Sequence, residues 1–335
     1  MRGAILILVP VMLLGGCGGV PSTPLLPHAT ETVSAALTRV HSPQGSPTPS
    51  FRITTGTKVV IPEPETAVPT VAVCDPATSD YCIVDGHFIL SRPIAPHENE
   101  VVESTYRYGS TQNDLREPHH GVEFANPFGT PVLAAADGEV VFAGSDDKAD
   151  LSPWSDFYGN AVVIKHSFAE QDLFTLYGHL SKIDVATGDV ITRGTKIGEV
   201  GTAGAAIGSH LHFEVRLYDN TYGSTRNPEL WLIPGQENGA LAIRITGGSG
   251  GFIPVALNVQ VIFLDGSRKS IAQPEAYDFR EKLPVSSDEV YEENYSLGDL
   301  PAGDYRLSFV LLGKLHERFI EIEPGLLTLV EIAIK

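Results

Sequence analysis

The chain has 335 residues, which is enough for about two ordinary domains and a long connecting segment. Its content of hydrophobic residues is 42%, so both domains can bury a core. The chain has 23 basic and 41 acidic residues and a net charge of -18. This charge argues against a nucleic-acid partner, because nucleic-acid binding needs clustered basic side chains.

The first residues predict export from the cytoplasm. Arg2 precedes a short apolar run over residues 5–14, which is typical of a secretory signal and too short to span a bilayer. The following Leu14-Gly15-Gly16-Cys17 is similar to the lipobox of bacterial lipoproteins, which implies a signal peptide over residues 1–17 and lipidation of Cys17. An ordinary cleaved signal with an incidental cysteine is the alternative. We therefore expect an extracytoplasmic protein that is anchored to the bacterial cell membrane through acyl chains on Cys17.

Residues 18–72 are rich in proline, serine and threonine, as at residues 21–24 and 42–49. Such a composition cannot bury enough apolar surface to fold, so we expect a disordered linker. At about 3 Å per residue in extended stretches, about fifty residues reach on the order of 100 Å. The linker would hold the following domains away from the membrane, toward a wall layer.

Cys74 and Cys82 are the other two cysteines of the sequence. An even number of cysteines in an oxidising compartment favours a disulfide between them, closing a short loop that contains Asp75-Pro76. Two free thiols are the alternative. Neither cysteine has the surroundings of a recognisable nucleophile, so a thiol-based catalytic site is not expected.

Residues 73–236 are predicted to form a strand-dominated domain with an N-terminal extension. Short runs that favour β-structure are separated there by glycine, proline and aspartate. These runs cover residues 131–134, 138–143, 160–166 and 173–177. The glycines between residues 188 and 208 are more typical of turns than of a phosphate-binding loop, since no lysine-serine signature follows them.

Residues 210–217 have the sequence His-Leu-His-Phe-Glu-Val-Arg-Leu, in which polar and apolar residues alternate. This alternation predicts a half-buried strand whose apolar residues face the core. His210 and His212 would share the other face with Glu214 and Arg216, and the two imidazoles would lie roughly 6 to 7 Å apart along the strand. One metal site can use both histidines.

His119 and Glu123 are four residues apart, and a fully extended chain would hold their side chains roughly 13 Å apart. They can reach one ion only if the backbone turns, and Gly121 permits that turn. A catalytic zinc takes about three histidine or carboxylate ligands and leaves one position open for water. The sequence therefore predicts a Zn²⁺ site formed by His119, Glu123 and His212.

At this point the chain resembles a known family, the lysostaphin-like or LytM-like zinc metalloendopeptidases, which cut peptidoglycan peptides. The matching segments follow the family's order and lie between about residues 105 and 235. They are residues 119–124, 129–132, 135–138, 177–180 and 209–216.

The resemblance implies roles for five residues. His119 and His212 would be zinc ligands, and Glu123 stands where the family normally has an aspartate as the third ligand. His179 and His210 would lie beside the zinc-bound water. There we assign His210 as the general base and His179 as the group that stabilises the oxyanion.

Two further residues near the predicted site receive expectations. His120 is expected to point into solvent as a neighbour of the ligand His119. Related enzymes can hold an upstream asparagine over the metal, and Asn113 is a candidate for that position. As a turn residue, Asn113 needs no such role.

Residues 237–335 are predicted to form a separate β-sandwich. Strand-like runs cover residues 241–245, 259–263, 305–310 and 328–334, with turns at 265–266 and 301–304. The segment over residues 300–305 is similar to turns in transthyretin-like and carboxypeptidase-regulatory-like domains. A spacer or binding module is expected, because no chemistry is visible in this region. The predicted fold class is all-β, with an antiparallel β-sheet metallopeptidase domain followed by the β-sandwich.

Two functions fit these features. The first is a cell-surface zinc metalloendopeptidase that hydrolyses peptide bonds in peptidoglycan cross-links or stem peptides. The alternative is a noncatalytic lipoprotein, with a degenerate metallopeptidase domain, that binds peptidoglycan or another wall peptide or regulates a hydrolase. The four histidines His119, His179, His210 and His212 favour the enzyme, whereas Glu123 favours the alternative. The sequence gives no oligomeric state.

Overall fold

The structure is a computed structural model, and the residues that it describes lie within Val68–Lys335. The described residues are 74–168, 171–247, 260–263, 270–272, 277 and 285–334. The expected signal peptide with Cys17, the expected linker over residues 18–72 and the turn expected at 265–266 lie outside the described residues.

The regular secondary structure of the described residues is almost entirely β-strand, and this confirms the predicted all-β fold class. They contain no α-helix, only short 3-10 helices at Asp146–Lys148, Tyr222–Ser224 and Pro228–Leu230. None of these helices is long and apolar enough to cross a membrane. The strands are, in chain order, β1 (Cys82–Val84), β2 (Val122–Ala125), β3 (Pro131–Leu133), β4 (Gly138–Ser145), β5 (Asn160–Phe168), β6 (Gln171–Gly178), β7 (Lys182–Ile183), β8 (Val190–Ile191), β9 (Lys196–Glu199), β10 (His210–Leu217), β11 (Thr225–Arg226), β12 (Asn238–Thr246), β13 (Gln260–Phe263), β14 (Ser270–Ala272), β15 (Tyr295–Pro301), β16 (Gly303–Leu311), β17 (Lys314–Ile322) and β18 (Leu327–Ala333).

A seven-stranded sheet carries most of the polar residues that the sequence singles out. Its strands follow the order β11-β10-β6-β5-β4-β8, and β2 also pairs with β10. All of these pairings are antiparallel. A second, three-stranded sheet has the order β3-β9-β7. Apolar side chains from both sheets share one core, so the seven-stranded sheet has a firm support beneath β10.

Strand β10 is buried on both faces, so the prediction of a half-buried strand is wrong. Its apolar residues lie in the core, as expected. The side chains of Glu214 and Arg216 on the opposite face are also fully buried. The segment that precedes β5 covers this second face, since the Tyr158 hydroxyl and the Leu151 carbonyl both accept hydrogen bonds from Arg216.

Two four-stranded sheets form a β-sandwich in the C-terminal part of the chain. Their orders are β1-β18-β12-β15 and β14-β13-β16-β17, and apolar side chains from both sheets form a second core. Strand β1 pairs with β18 and thus lies in this sandwich, whereas the sequence placed residues 82–84 in the segment 73–236. A disulfide joins Cys74 to Cys82, with their Cα atoms 5.7 Å apart.

Candidate metal centre

Adjacent strands bring three of the predicted site residues side by side. Strand β2 pairs with β10 so that Glu123 lies directly opposite His212, and directly opposed residues share one face of a sheet. His212 also lies opposite Gly178 at the end of β6, which His179 follows. His119 reaches the same point because the chain bends just before it enters β2.

Gly121 allows two chain segments to approach each other closely at this bend. The chain bends there as the sequence predicts, but Gly121 is not among the glycines with a positive φ. A Cβ atom at this position would lie 2.6 Å from the carbonyl oxygen of Phe213 and 2.9 Å from the ring of His212. A larger residue would therefore push β10 away from the segment that carries His119.

Three ligand atoms converge on one point in the geometry that zinc requires. Nε2 of His119 lies 3.0 Å from Oε1 of Glu123 and 3.3 Å from Nδ1 of His212. The distance from Nδ1 of His212 to the same carboxylate oxygen is 3.2 Å. Ligand atoms around a tetrahedral zinc, each about 2.0 to 2.2 Å from the ion, lie roughly 3.3 Å apart. The donor set therefore fits zinc. We call His119, Glu123 and His212 the triangle, and the longer glutamate side chain still reaches its third corner.

Hydrogen bonds on the far side of each imidazole fix which ring nitrogen carries the proton. Nδ1 of His119 lies 2.9 Å from the carbonyl oxygen of Tyr106, which can only accept, so this nitrogen is the donor. Nε2 of His212 lies 3.0 Å from a carboxylate oxygen of Glu214 and donates to it in the same way. In the neutral rings, Nε2 of His119 and Nδ1 of His212 are therefore left with lone pairs toward the shared point, as metal ligands need.

The carboxylate of Glu123 supplies a buried negative charge to this point. Burial opposes its ionisation, but the charge of His212 and the contact with His119 hold the pKa of Glu123 well below its ordinary range. Its second oxygen, Oε2, is buried and lies 2.8 Å from Nε2 of His210.

The second face of β10 supports His212 with a buried ionic network. Glu214 accepts hydrogen bonds from Nε of Arg216 at 2.7 Å and from the hydroxyl of Tyr158 at 2.5 Å. Burial opposes the charge of Glu214, but Arg216 and His212 outweigh burial and lower the pKa of Glu214 to about 2. Burial likewise opposes the charge of His212, yet Glu123 and Glu214 raise its pKa to about 9. The site thus favours a positive charge next to Glu123, from a proton or from a metal ion.

Sequence reasoning missed Glu214, Arg216 and Tyr158 as residues of the site. The sequence pattern already pointed to Glu214 and Arg216. They follow His212 by two and four positions, so all three share one face of the strand. The prediction of a half-buried strand gave the two charged residues on that face no role. Tyr158 lies in an irregular segment before β5 and has no sequence pattern that points to β10.

His179 and His210 lie beside the triangle, with their ring centroids 4.8 Å apart. His179 has a φ of 63°, a left-handed backbone that is rare outside glycine and is often found at functional sites. Its Nδ1 donates to the carbonyl of Ala203 at 2.8 Å. Burial and the nearby charge of His212 lower the pKa of His179 to about 3, so this imidazole is neutral. Nδ1 of His210 lies 3.1 Å from the carbonyl of Gly208.

The expectation that His120 points into solvent is wrong. Its side chain is buried and stacks on the ring of Tyr222, with 3.8 Å between the ring centroids. Nδ1 of His120 also lies 2.9 Å from the hydroxyl of Thr225. The side chain of His120 therefore packs against Tyr222 and Thr225, while the side chain of His119 points to the triangle. Asn113 is exposed, with a φ of 58°, and is not among the residues that line the site.

Comparison with known proteins assigns this part of the chain to a family. Residues 117–228 match Peptidase family M23, and this segment includes the triangle and both neighbouring histidines. These residues form a peptidase M23 domain. The lysostaphin-like or LytM-like family that the sequence motifs predicted is thereby confirmed for this domain.

Two curated relatives and one solved structure are similar to this part of the chain. The DD-carboxypeptidase/endopeptidase Mpg of Neisseria meningitidis is 40% identical over 119 residues, which are 36% of this chain and 24% of that protein. The peptidoglycan DD-endopeptidase ShyA of Vibrio cholerae is 42% identical over 98 residues, 29% of this chain and 20% of that protein. The chain thus spans about a quarter or less of these relatives. The catalytic domain of the antimicrobial peptidase lysostaphin from Staphylococcus simulans is 28% identical, covering 38% of this chain and 89% of that chain, with a TM-score of 0.32.

The centre of the M23 domain lies at the floor of a groove of about 840 Å³. Three segments contribute its walls, within residues 103–118, 154–157 and 205–209. Trp154 and Ile207 expose apolar surface there, with 37% and 75% of the residue accessible to solvent. A groove with these dimensions can hold an extended peptide across the triangle.

Proposed function

We propose that the chain is a cell-surface zinc metalloendopeptidase that hydrolyses peptide bonds in peptidoglycan cross-links or stem peptides. The observation that carries this proposal is the triangle of His119, Glu123 and His212, with His179 and His210 beside it in one open groove. The names of the two curated relatives support the substrate class. Because the chain covers only a minor part of each relative, the substrate stays a proposal.

His119, Glu123 and His212 would hold the zinc ion, which would supply a Lewis acid and make water at the site more acidic. The groove orients the peptide so that its scissile carbonyl lies over the triangle. His119 and His212 keep the required tautomers through Tyr106 and Glu214, so both rings stay in place during turnover.

The hydrogen bonds of the two neighbouring histidines support a reversal of the roles expected from the sequence. Because Nδ1 of His179 donates to the Ala203 carbonyl and the ring is neutral, its Nε2 has a lone pair that can take a proton from the attacking water. Nδ1 and Nε2 of His210 lie beside the Gly208 carbonyl and the Glu123 carboxylate, so neither nitrogen is as open to the attacking water as Nε2 of His179. We therefore propose His179 as the general base and His210 as the group that stabilises the oxyanion.

The location of the enzyme is also a proposal. An anchor of acyl chains on Cys17 and a linker over residues 18–72 would place the groove outside the cytoplasm and within reach of the wall. Incorporation of labelled fatty acid into the chain, and its loss in Cys17→Ser, would support the anchor. If the unaltered protein is released without labelled fatty acid, as Cys17→Ser would be, the anchor is contradicted.

The noncatalytic alternative rests on Glu123, and the metal content of its variants tests it. We expect one zinc per chain in the purified protein, retention of zinc in Glu123→Asp and loss of zinc in Glu123→Ala. The two proteins that contain zinc should cleave purified peptidoglycan, and Glu123→Ala should not. The matched control is Glu139→Ala, which removes an exposed carboxylate of β4 outside the groove. A zinc-free parent that gains zinc only as Glu123→Asp would favour the binding module.

A further inference from the structure

The walls of the groove are strongly acidic, with one exception. Among the described residues that line the groove, Arg116 is the only lysine or arginine, whereas Glu103, Glu117 and Asp156 add carboxylates. Arg116 is exposed, and no described carboxylate lies within ion-pair distance of its guanidinium. Since no described carboxylate pairs with Arg116, the charge of its guanidinium is available to a ligand.

The guanidinium of Arg116 is held near the metal centre by a stack of rings. Its Cζ atom lies over the ring of Tyr106, 4.9 Å from the ring centroid. The same ring stacks on the ligand His119, with 4.0 Å between centroids and an interplanar angle of 11°. The hydroxyl of Tyr106 donates to the carbonyl of Glu117 at 3.2 Å, which fixes the ring. The guanidinium therefore lies no more than about 9 Å from the ring of His119, since the two separations are 4.9 and 4.0 Å.

The hydroxyl of Tyr106 also accepts a hydrogen bond from Arg116, and the remaining N–H donors of the guanidinium can meet a planar anion. Stacking on an aromatic ring uses the face of a guanidinium, while its N–H donors lie in the plane and point outward. A carboxylate is the group that matches this donor fork with two parallel hydrogen bonds. An extended peptide advances about 3.3 to 3.6 Å per residue, so the distance to His119 corresponds to two or three residues.

We propose that Arg116 forms a carboxylate-binding subsite, so that the M23 domain prefers wall peptides with a free carboxylate two or three residues from the scissile bond. This inference rests on the proposed function for its substrate class. The acidic residues around Arg116 restrict the subsite to a single carboxylate, because a ligand with several negative charges is repelled by Glu103 and Glu117. Arg116 is thus a residue that determines specificity rather than one that takes part in the chemical step.

The test compares two peptides that differ only in one group. Calorimetry with the full-length protein measures the binding of a stem peptide that ends in a free carboxylate and of its carboxamide analogue. Arg116→Ala removes the cation, Arg116→Lys keeps the charge without the planar fork, and Lys148→Ala removes an exposed cation that does not line the groove. Cleavage of cross-linked stem-peptide dimers is followed in parallel with the same proteins.

We expect the parent protein and Lys148→Ala to bind the carboxylate peptide about tenfold more tightly than the carboxamide. Arg116→Ala should lose this preference by weakening only the carboxylate peptide, and Arg116→Lys should keep part of it. A parent without the preference, or a preference that survives in Arg116→Ala, would overturn the inference. A preference that depends on Arg116 in a protein that cleaves no dimer would support the subsite and contradict the proposed endopeptidase.

Discussion

Glu214 lies beneath the candidate metal centre, and Glu293 lies just before strand β15 in the C-terminal sandwich. Neither side chain reaches solvent. Burial opposes the charge of both, yet Arg216 and His212 lower the pKa of Glu214 to about 2, whereas the pKa of Glu293 is raised to about 8 by burial and by the charge of Asp288. Among the described residues, no basic side chain lies within ion-pair distance of Glu293.

The difference teaches that the partners of a buried carboxylate, and not its depth, decide its charge state. Glu214 is held ionised and accepts a hydrogen bond from Nε2 of His212. Glu293 accepts the backbone N–H of Asp288 at 3.0 Å, and its other oxygen is buried without a hydrogen bond. Glu214 thus orients the candidate metal ligand His212, whereas the burial of Glu293 lowers the free energy of unfolding at neutral pH. Three experiments can break or sharpen this contrast.

The largest effect is expected from Arg216→Met, which leaves the charge of Glu214 buried without its cation. Arg216 also donates to the Leu151 carbonyl and to Asn220, so several buried acceptors lose their donor. Breaking a buried pair by removing one partner costs about 3–5 kcal/mol of the free energy of unfolding. Denaturant unfolding measures this loss, and Lys148→Met is the control for an exposed cation.

A double variant identifies the cause of that loss. If the uncompensated charge of Glu214 is responsible, adding Glu214→Gln to Arg216→Met should recover part of the lost stability. Equal losses in the single and the double variant would show that the packing of Arg216, and not the charge of Glu214, dominates.

A smaller effect is expected from Glu214→Gln alone, read as zinc affinity. The amide can still accept from His212, but it lacks the charge that favours the donor tautomer of that ring. Loss of such a supporting carboxylate typically weakens metal binding about 10- to 100-fold. Competition with a chelator measures the affinity, and Glu139→Gln is the control. An unchanged affinity in a folded Glu214→Gln protein would deny Glu214 its role in orienting His212.

Much of the fold and of the site could be predicted from the sequence. Alternating residues located β10, and the motif order located His119, Glu123, His179, His210 and His212. Strand β15 was missed because Gly298, Asp299 and Pro301 disfavour strands, and pairing with β12 overrides that preference. The burial of Glu214 and Arg216 was missed because it depends on Tyr158 and Leu151, which meet β10 only in the folded chain.

The smallest effect is expected in the C-terminal sandwich, where Glu293 makes the free energy of unfolding depend on pH. The folded protein holds a proton on Glu293 up to about pH 8, whereas the unfolded chain releases it near the ordinary pKa of 4.5. Stability from this group is therefore fully present below pH 4.5 and is lost as the pH rises toward 8. Glu293→Gln mimics the protonated form, so it should be the more stable protein at pH 8, by at least about 1.4 kcal/mol, the equivalent of one pKa unit.

Thermal or denaturant unfolding of the parent and Glu293→Gln at pH 5 and pH 8 checks this expectation. The gain from the substitution should be larger at pH 8 than at pH 5, because the parent is already mostly protonated at the lower pH. Glu139→Gln, which alters an exposed carboxylate, should show no such difference. A Glu293→Gln protein that is equally destabilised at both pH values would mean that Glu293 is ionised in the fold and has found a cation. The contrast with Glu214 would then disappear, since both buried glutamates would owe their charge to a partner.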